Sequence, residues 1–159
     1  MEKSLKEMGV DQVTIDHFLR QKYWTFTTQS ALVMALERLD GVDGRAEVLE
    51  TAITATDEDQ ARFLAVGMSL LAREHESAPL KEIVNGKPIG ITKKGRAIAT
   101  MPLDYVIWNE RVSAFAQRDD LLPNKPVVMV TGRLSPAARS ELEKLGWEVR
   151  EDLPLAGTF

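Results

Sequence analysis

The sequence predicts an α+β protein with an N-terminal layer of about four helices, followed by a small mixed β-sheet built from a hairpin and a strand–helix–strand unit. Three observations predict it. Apolar residues recur at helical spacing through residues 1–80, and short alternating or continuous apolar runs replace them from residue 81 onward. The charge divides at the same place: the chain carries −4 in all, as −6 over residues 1–80 and +2 over 81–159. With 159 residues, 44% hydrophobic and 28% charged, the chain can bury a core without staples and reads as one two-part domain, 1–80 helical and 81–159 α/β.

The elements follow in order. Ile15, Phe18 and Leu19 recur at helical spacing from Asp11 to about Trp24, with Tyr23 and Trp24 closing the apolar side. Thr27 or Thr28 is placed to cap a second helix carrying Leu32, Leu36 and Leu39, which the glycines of Asp40-Gly41-Val42-Asp43-Gly44 end. A third helix runs from Arg45 to Ala55. A fourth begins with Thr56 as cap and Asp57, Glu58 and Asp59 at the positive end of its dipole, and ends at Ser77-Ala78-Pro79. Gly67, in the middle of that helix, predicts a close helix crossing.

Beyond residue 81 the period changes. Lys87–Thr92 and Arg96–Met101 read as a hairpin with Gly95 at a positive-φ position and Pro88 favouring a sheet edge. Tyr105, Trp108, Val112 and Phe115 are spaced as a helix capped by Asp104 and running to Gln117. Val127–Thr131 is a buried strand and Gly132-Arg133-Leu134 a turn. Ser135-Pro136 opens a helix that Gly146 stops, and Glu148–Arg150 is a last strand. The tail from Leu153 to Phe159 is expected to be loosely held.

Several chemistries are excluded or disfavoured. Without cysteine there is no disulfide, thiolate nucleophile or cysteine-held metal. The start of the sequence is charged and lacks the apolar stretch of a signal peptide, so a cytoplasmic location is expected, the alternative being an excised domain of a bacterial envelope protein. The charge balance disfavours nucleic acid as a partner, and no apolar run reaches the length of a membrane span. No cofactor fingerprint is present, and His17 and His75 lack metal-ligand spacing, so neither cofactor nor metal is expected.

Two groups of residues stand out as candidate sites. Thr131, Gly132, Arg133, Ser135 and Arg139 surround a helix start that follows a buried strand, where unpaired amides and two guanidinium groups suit an anion. Lys87, Lys93, Lys94 and Arg96 cluster on the hairpin, either as a contact for an acidic partner or as charges that keep a sheet edge from pairing. The stretch Val130–Ser135 together with Leu145–Val149 resembles the first strand–helix–strand of BRCT domains over a short part of the chain, and the sequence after it does not continue that domain.

The function expected from these observations is a non-catalytic protein-interaction or regulatory module with a protein partner. Its rival is a small anionic-ligand-binding or enzymatic domain that uses the Gly132 to Ser135 turn. A pocket lined by polar groups from both halves favours a small ligand, whereas a flat apolar patch favours the interaction module.

Overall fold

A computed structural model of the chain describes residues 1–155. Helices α1 (Glu2–Glu7), α2 (Gln12–Arg20), α3 (Phe26–Arg38), α4 (Arg45–Ile53) and α5 (Glu58–Ser77) form the N-terminal layer. There follow β1 (Leu80–Ile83), β2 (Ile89–Thr92), β3 (Ala97–Met101), β4 (Tyr105–Val106), α6 (Glu110–Ala116), β5 (Val127–Val130), β6 (Arg133–Leu134), α7 (Pro136–Lys144) and β7 (Glu148–Arg150). The α+β class with its helical N-terminal layer is as the sequence predicts, with α1 and β1 added to it.

Local chemistry sets the helix starts. Asp11 accepts the Thr14 amide at 2.9 Å, and that bond holds its carboxyl below the ordinary carboxylate range. Thr25, not Thr27 or Thr28, caps α3 in a reciprocal box with Thr28. Asp57, not Thr56, caps α5 by accepting the Gln60 amide at 2.8 Å, while the Thr56 amide donates to the Gln60 side chain. His75, near the end of α5, accepts the Leu80 amide on Nδ1 at 2.9 Å and so ties the helix to the first strand.

The main sheet has five strands in the order β1-β2-β3-β5-β7; its first two pairings are antiparallel and its last two parallel. Alternate residues face opposite sides of it. Ile98, Val127 and Met129 join the core of the helical layer. Ala97, Ala99, Val128 and Val130 join a second core with Ala116, Leu121, Ala138, Leu142 and Trp147. The sheet is therefore covered on both faces, and each fully buried Val or Ile contributes about 1.5–3 kcal/mol relative to exposure.

Four expectations are corrected. The segment from Asp104 to Gln117 is not one helix: it first forms β4, parallel to β6, and α6 then starts at Asn109, whose side chain accepts the Val112 amide. Arg133 and Leu134 are strand residues rather than a turn, because the amides of Arg133 and Ser135 donate to the carbonyls of Asp104 and Val106, on either side of Tyr105. Pro88 does not mark an edge, since β2 lies between β1 and β3; the proline precedes the first paired residue and its carbonyl accepts the Thr100 amide at 3.0 Å. Of the tail, Leu153 packs on the core and donates its amide to Val130, and residues 156–159 lie outside the described residues.

Gly67 marks a close approach, but to the sheet rather than to another helix. The Thr100 hydroxyl donates to the Gly67 carbonyl at 2.7 Å, and a Cβ on residue 67 would lie 2.9 Å from the Pro88 ring. Helix propensity alone credits Gly67→Ala with about 1 kcal/mol of added stability. The rigid proline reverses that sign, so the substitution is expected to lower stability by about 1 kcal/mol, read as a fall in the urea midpoint; a rise would show that the α5–sheet contact yields freely.

Candidate functional site

A cleft of about 680 Å³ opens where the helical layer meets the α/β part. One wall is Trp24, the end of α4 with the turn after it (Thr51, Ala52, Thr54, Ala55), and the first turns of α5 (Asp57, Asp59, Gln60, Phe63, Leu64). The other is Lys87 and Pro88 before β2, Met101 and Leu103 after β3, Val106 in β4, and Arg111, Val112 and Phe115 on α6. Its volume lies within the range of small-ligand sites, roughly 300–1,000 Å³, and like them it combines an apolar lining with a few polar groups.

Short-range bonds hold this shape. Trp24 donates its indole N–H to the Ala52 carbonyl at 2.9 Å and meets Phe18 edge-on with centroids 5.0 Å apart. Gln21 donates to the Ala55 carbonyl at 2.8 Å, pinning the turn between α4 and α5. Pro88 forms part of the opposite wall through the same contact with Gly67 that seats α5 on the sheet. The hydroxyls of Thr51 and Thr54 donate to the carbonyls of Glu47 and Thr51. The polar groups of the lining are the hydroxyls of Thr51 and Thr54, the side-chain amide of Gln60 and the charged groups of Asp57, Asp59, Lys87 and Arg111.

The predicted anion turn is built differently from its expectation. Its amides are not open: Gly132, Arg133 and Ser135 donate to the carbonyls of Leu103, Asp104 and Val106 at 2.8, 3.0 and 2.8 Å, and Thr131 donates to Met101 at 3.3 Å. The Leu134 amide donates to the Glu151 carboxylate at 3.0 Å. Ser135 caps α7 by accepting the Ala138 amide at 3.1 Å. Arg133 pairs with Asp152, and Arg139 with Glu151 and Glu143. The helix start therefore faces the chain's own carboxylates, and its amides fasten β6 to β4.

The four hairpin cations do not form one cluster. Lys93 and Lys94 are exposed at the β2–β3 tip, whereas Lys87 lies at the far end of β2, about 13 Å of strand away, on the cleft wall. Arg96 is engaged with Glu148 and with the Lys125 carbonyl. Burial raises the Glu148 carboxyl, but the hydrogen bond and charge of Arg96, with help from Arg150, outweigh it and leave the carboxyl below its ordinary range. The clustering seen in the sequence failed because Lys87 and Lys93, only six positions apart, flank opposite ends of β2. Lys87 apart, the lining residues were missed, and the signals that could have found them are the aromatic Phe63 and Phe115 half-buried on facing helices.

Two outcomes test this assignment of structural roles. A Cβ at residue 132 would lie 1.8 Å from the Asp104 carbonyl oxygen. Gly132→Ala is therefore expected to destabilise by about 3 kcal/mol, measured by denaturant unfolding, and near-neutrality would refute the tight β4–β6 junction. A carboxyl with a depressed folded-state pKa stabilises above its unfolded value, and that stability is lost as pH falls through the folded value. Glu148→Gln should accordingly lower melting temperature at neutral pH and flatten the acid side of the stability profile; parallel profiles would count against the Arg96–Glu148 link. No family model matches the chain, and neither curated proteins nor solved structures compared with it give a match.

Proposed function

We propose that this protein is a small-molecule-binding module whose ligand sits in the cleft between the helical layer and the α/β part. The observation that supports it is the lining: one concave surface of about 680 Å³ takes apolar floor residues and charged mouth residues from both halves of the chain. A ligand there touches α4, α5, α6 and the β3–β4 connection at once, so its binding resists separation of the two layers. That coupling is what a regulatory module requires, since anything that binds only the folded arrangement stabilises it by mass action.

A second reading, the protein-interaction module, is favoured by a different observation. Leu103, Tyr105 and Ile107, alternate residues of one segment, are 40%, 59% and 53% exposed, and β4 has a strand on one side only among the described residues. An extended apolar segment of a protein partner would find both side-chain contact and an open backbone edge there.

The ligand reading is tested with 3-methylindole, a neutral apolar probe, followed by methyl-resolved NMR. At about 0.4 kcal/mol per heavy atom its expected affinity is near 4 kcal/mol, a Kd on the order of 1 mM. Shifts should concentrate on Leu64, Met101, Leu103, Val106 and Val112, and Leu103→Arg should abolish them with little change in melting temperature. Shifts confined to other surfaces, or none at millimolar probe, overturn the reading.

A further inference from the structure

Resting on that reading of the cleft, we propose that its ligand is an apolar zwitterion of the amino-acid type, with its apolar body on the cleft floor and both charges at the mouth. Four ionised side chains line the cleft, and their signs divide by wall: Asp57 and Asp59 on the helical side, Lys87 and Arg111 on the α/β side. All four are exposed, while Trp24, Leu64 and Val106 beneath them are buried, so the charges lie above an apolar floor.

Arg111 is set apart from most other arginines of the chain. Arg38, Arg45, Arg96, Arg118, Arg133, Arg139 and Arg150 each form an ion pair, and Arg62 and Arg73 are engaged as well. Among the described residues only the Arg20 and Arg111 guanidinium groups have no hydrogen bond or ion pair, and Arg111 is the one at the cleft. The side chains of Lys87 and Asp59 likewise have no hydrogen bond or ion pair among the described residues, whereas Asp57 serves as the cap of α5.

Charge complementarity selects among ligands. A ligand covering the mouth removes water from these groups, which favours it only if opposite charges replace the water. A simple anion satisfies Lys87 and Arg111 but faces two carboxylates, a simple cation meets the reverse, and a neutral molecule answers neither wall. A molecule carrying a carboxylate and an ammonium beside one apolar body answers both, and the aromatic side chains of Trp24, Phe63 and Phe115 suit an aromatic body.

Four probes with the same indole body separate these cases by calorimetric or NMR titration of the full chain: free tryptophan, indole-3-propionate, tryptamine and 3-methylindole. Free tryptophan is expected to bind about fivefold more tightly than either singly charged probe. Arg111→Gln should bring it down to the affinity of tryptamine without weakening tryptamine, Arg111→Lys should retain part of the preference, and Asp59→Asn should remove the ammonium's contribution. If all four probes bind within about twofold of one another, or a singly charged probe binds tightest, the zwitterion inference is overturned and the cleft remains a ligand site. If none binds, the cleft reading itself falls with it.

Discussion

Strands β3 and β5 run side by side in parallel, pairing Ile98 with Val127 through Met101 with Val130, and helices cover both of their faces. The apolar residues from Ala97 to Ala99 and from Val127 to Val130 are therefore committed alternately to one core and the other. A slip of one position would send Ile98 and Met129 toward α6 and α7 and bring Ala99 and Val128 against α5, leaving a void on one side and a clash on the other. The rest of the molecule depends on this two-sided burial. It fixes where α5 must lie, and it makes the segment from Leu103 to Val106 cross the end of the sheet so that its carbonyls can receive the amides of Gly132, Arg133 and Ser135.

The cleft is a by-product of how the layers are joined. Helix α5 touches the sheet most closely at Gly67, where the lack of a side chain lets Pro88 and Thr100 approach its backbone. Toward its N-terminus the facing elements are α4's end and α6, each held by bonds of its own, and neither fills the space between them. Two layers that are each internally satisfied leave a seam, and at this seam the acidic wall of one faces the basic wall of the other. The charge asymmetry of the sequence is thus expressed locally, at a place where both halves border the same volume.

Much of this architecture was legible because it is locally encoded. Ser135-Pro136 with Gly146 bounded α7 to within two residues, and the Val127–Val130 run announced a strand buried on both faces. What escaped depended on distant chain. Tyr105, Trp108, Val112 and Phe115 have helical spacing, yet Tyr105 lies in a strand because Arg133 and Leu134 offer it a parallel neighbour. The short β1 has its two middle residues, Lys81 and Glu82, both exposed and gives no alternation to read. The candidate site escaped almost entirely, since its lining is gathered from segments that are far apart in sequence and carry no shared motif, whereas the Gly132 turn looked open only because the carbonyls that occupy it belong to residues about thirty positions earlier.

The two buried tryptophans have a spectroscopic consequence. Trp24 donates to the carbonyl of Ala52 near the end of α4 and packs against Phe18; Trp147 donates to the carbonyl of Ala116 at the end of α6 and packs against Phe115. Each layer flanking the sheet thus contains one indole in a dry, hydrogen-bonded, aromatic setting, so its emission changes when that layer opens. Single-tryptophan variants would give the molecule two internal thermometers, one on each side of the sheet, able to say whether the layers melt together or in turn. Because Trp24 also borders the cleft, the same fluorophore that reports on the helical layer would register anything that comes to rest there.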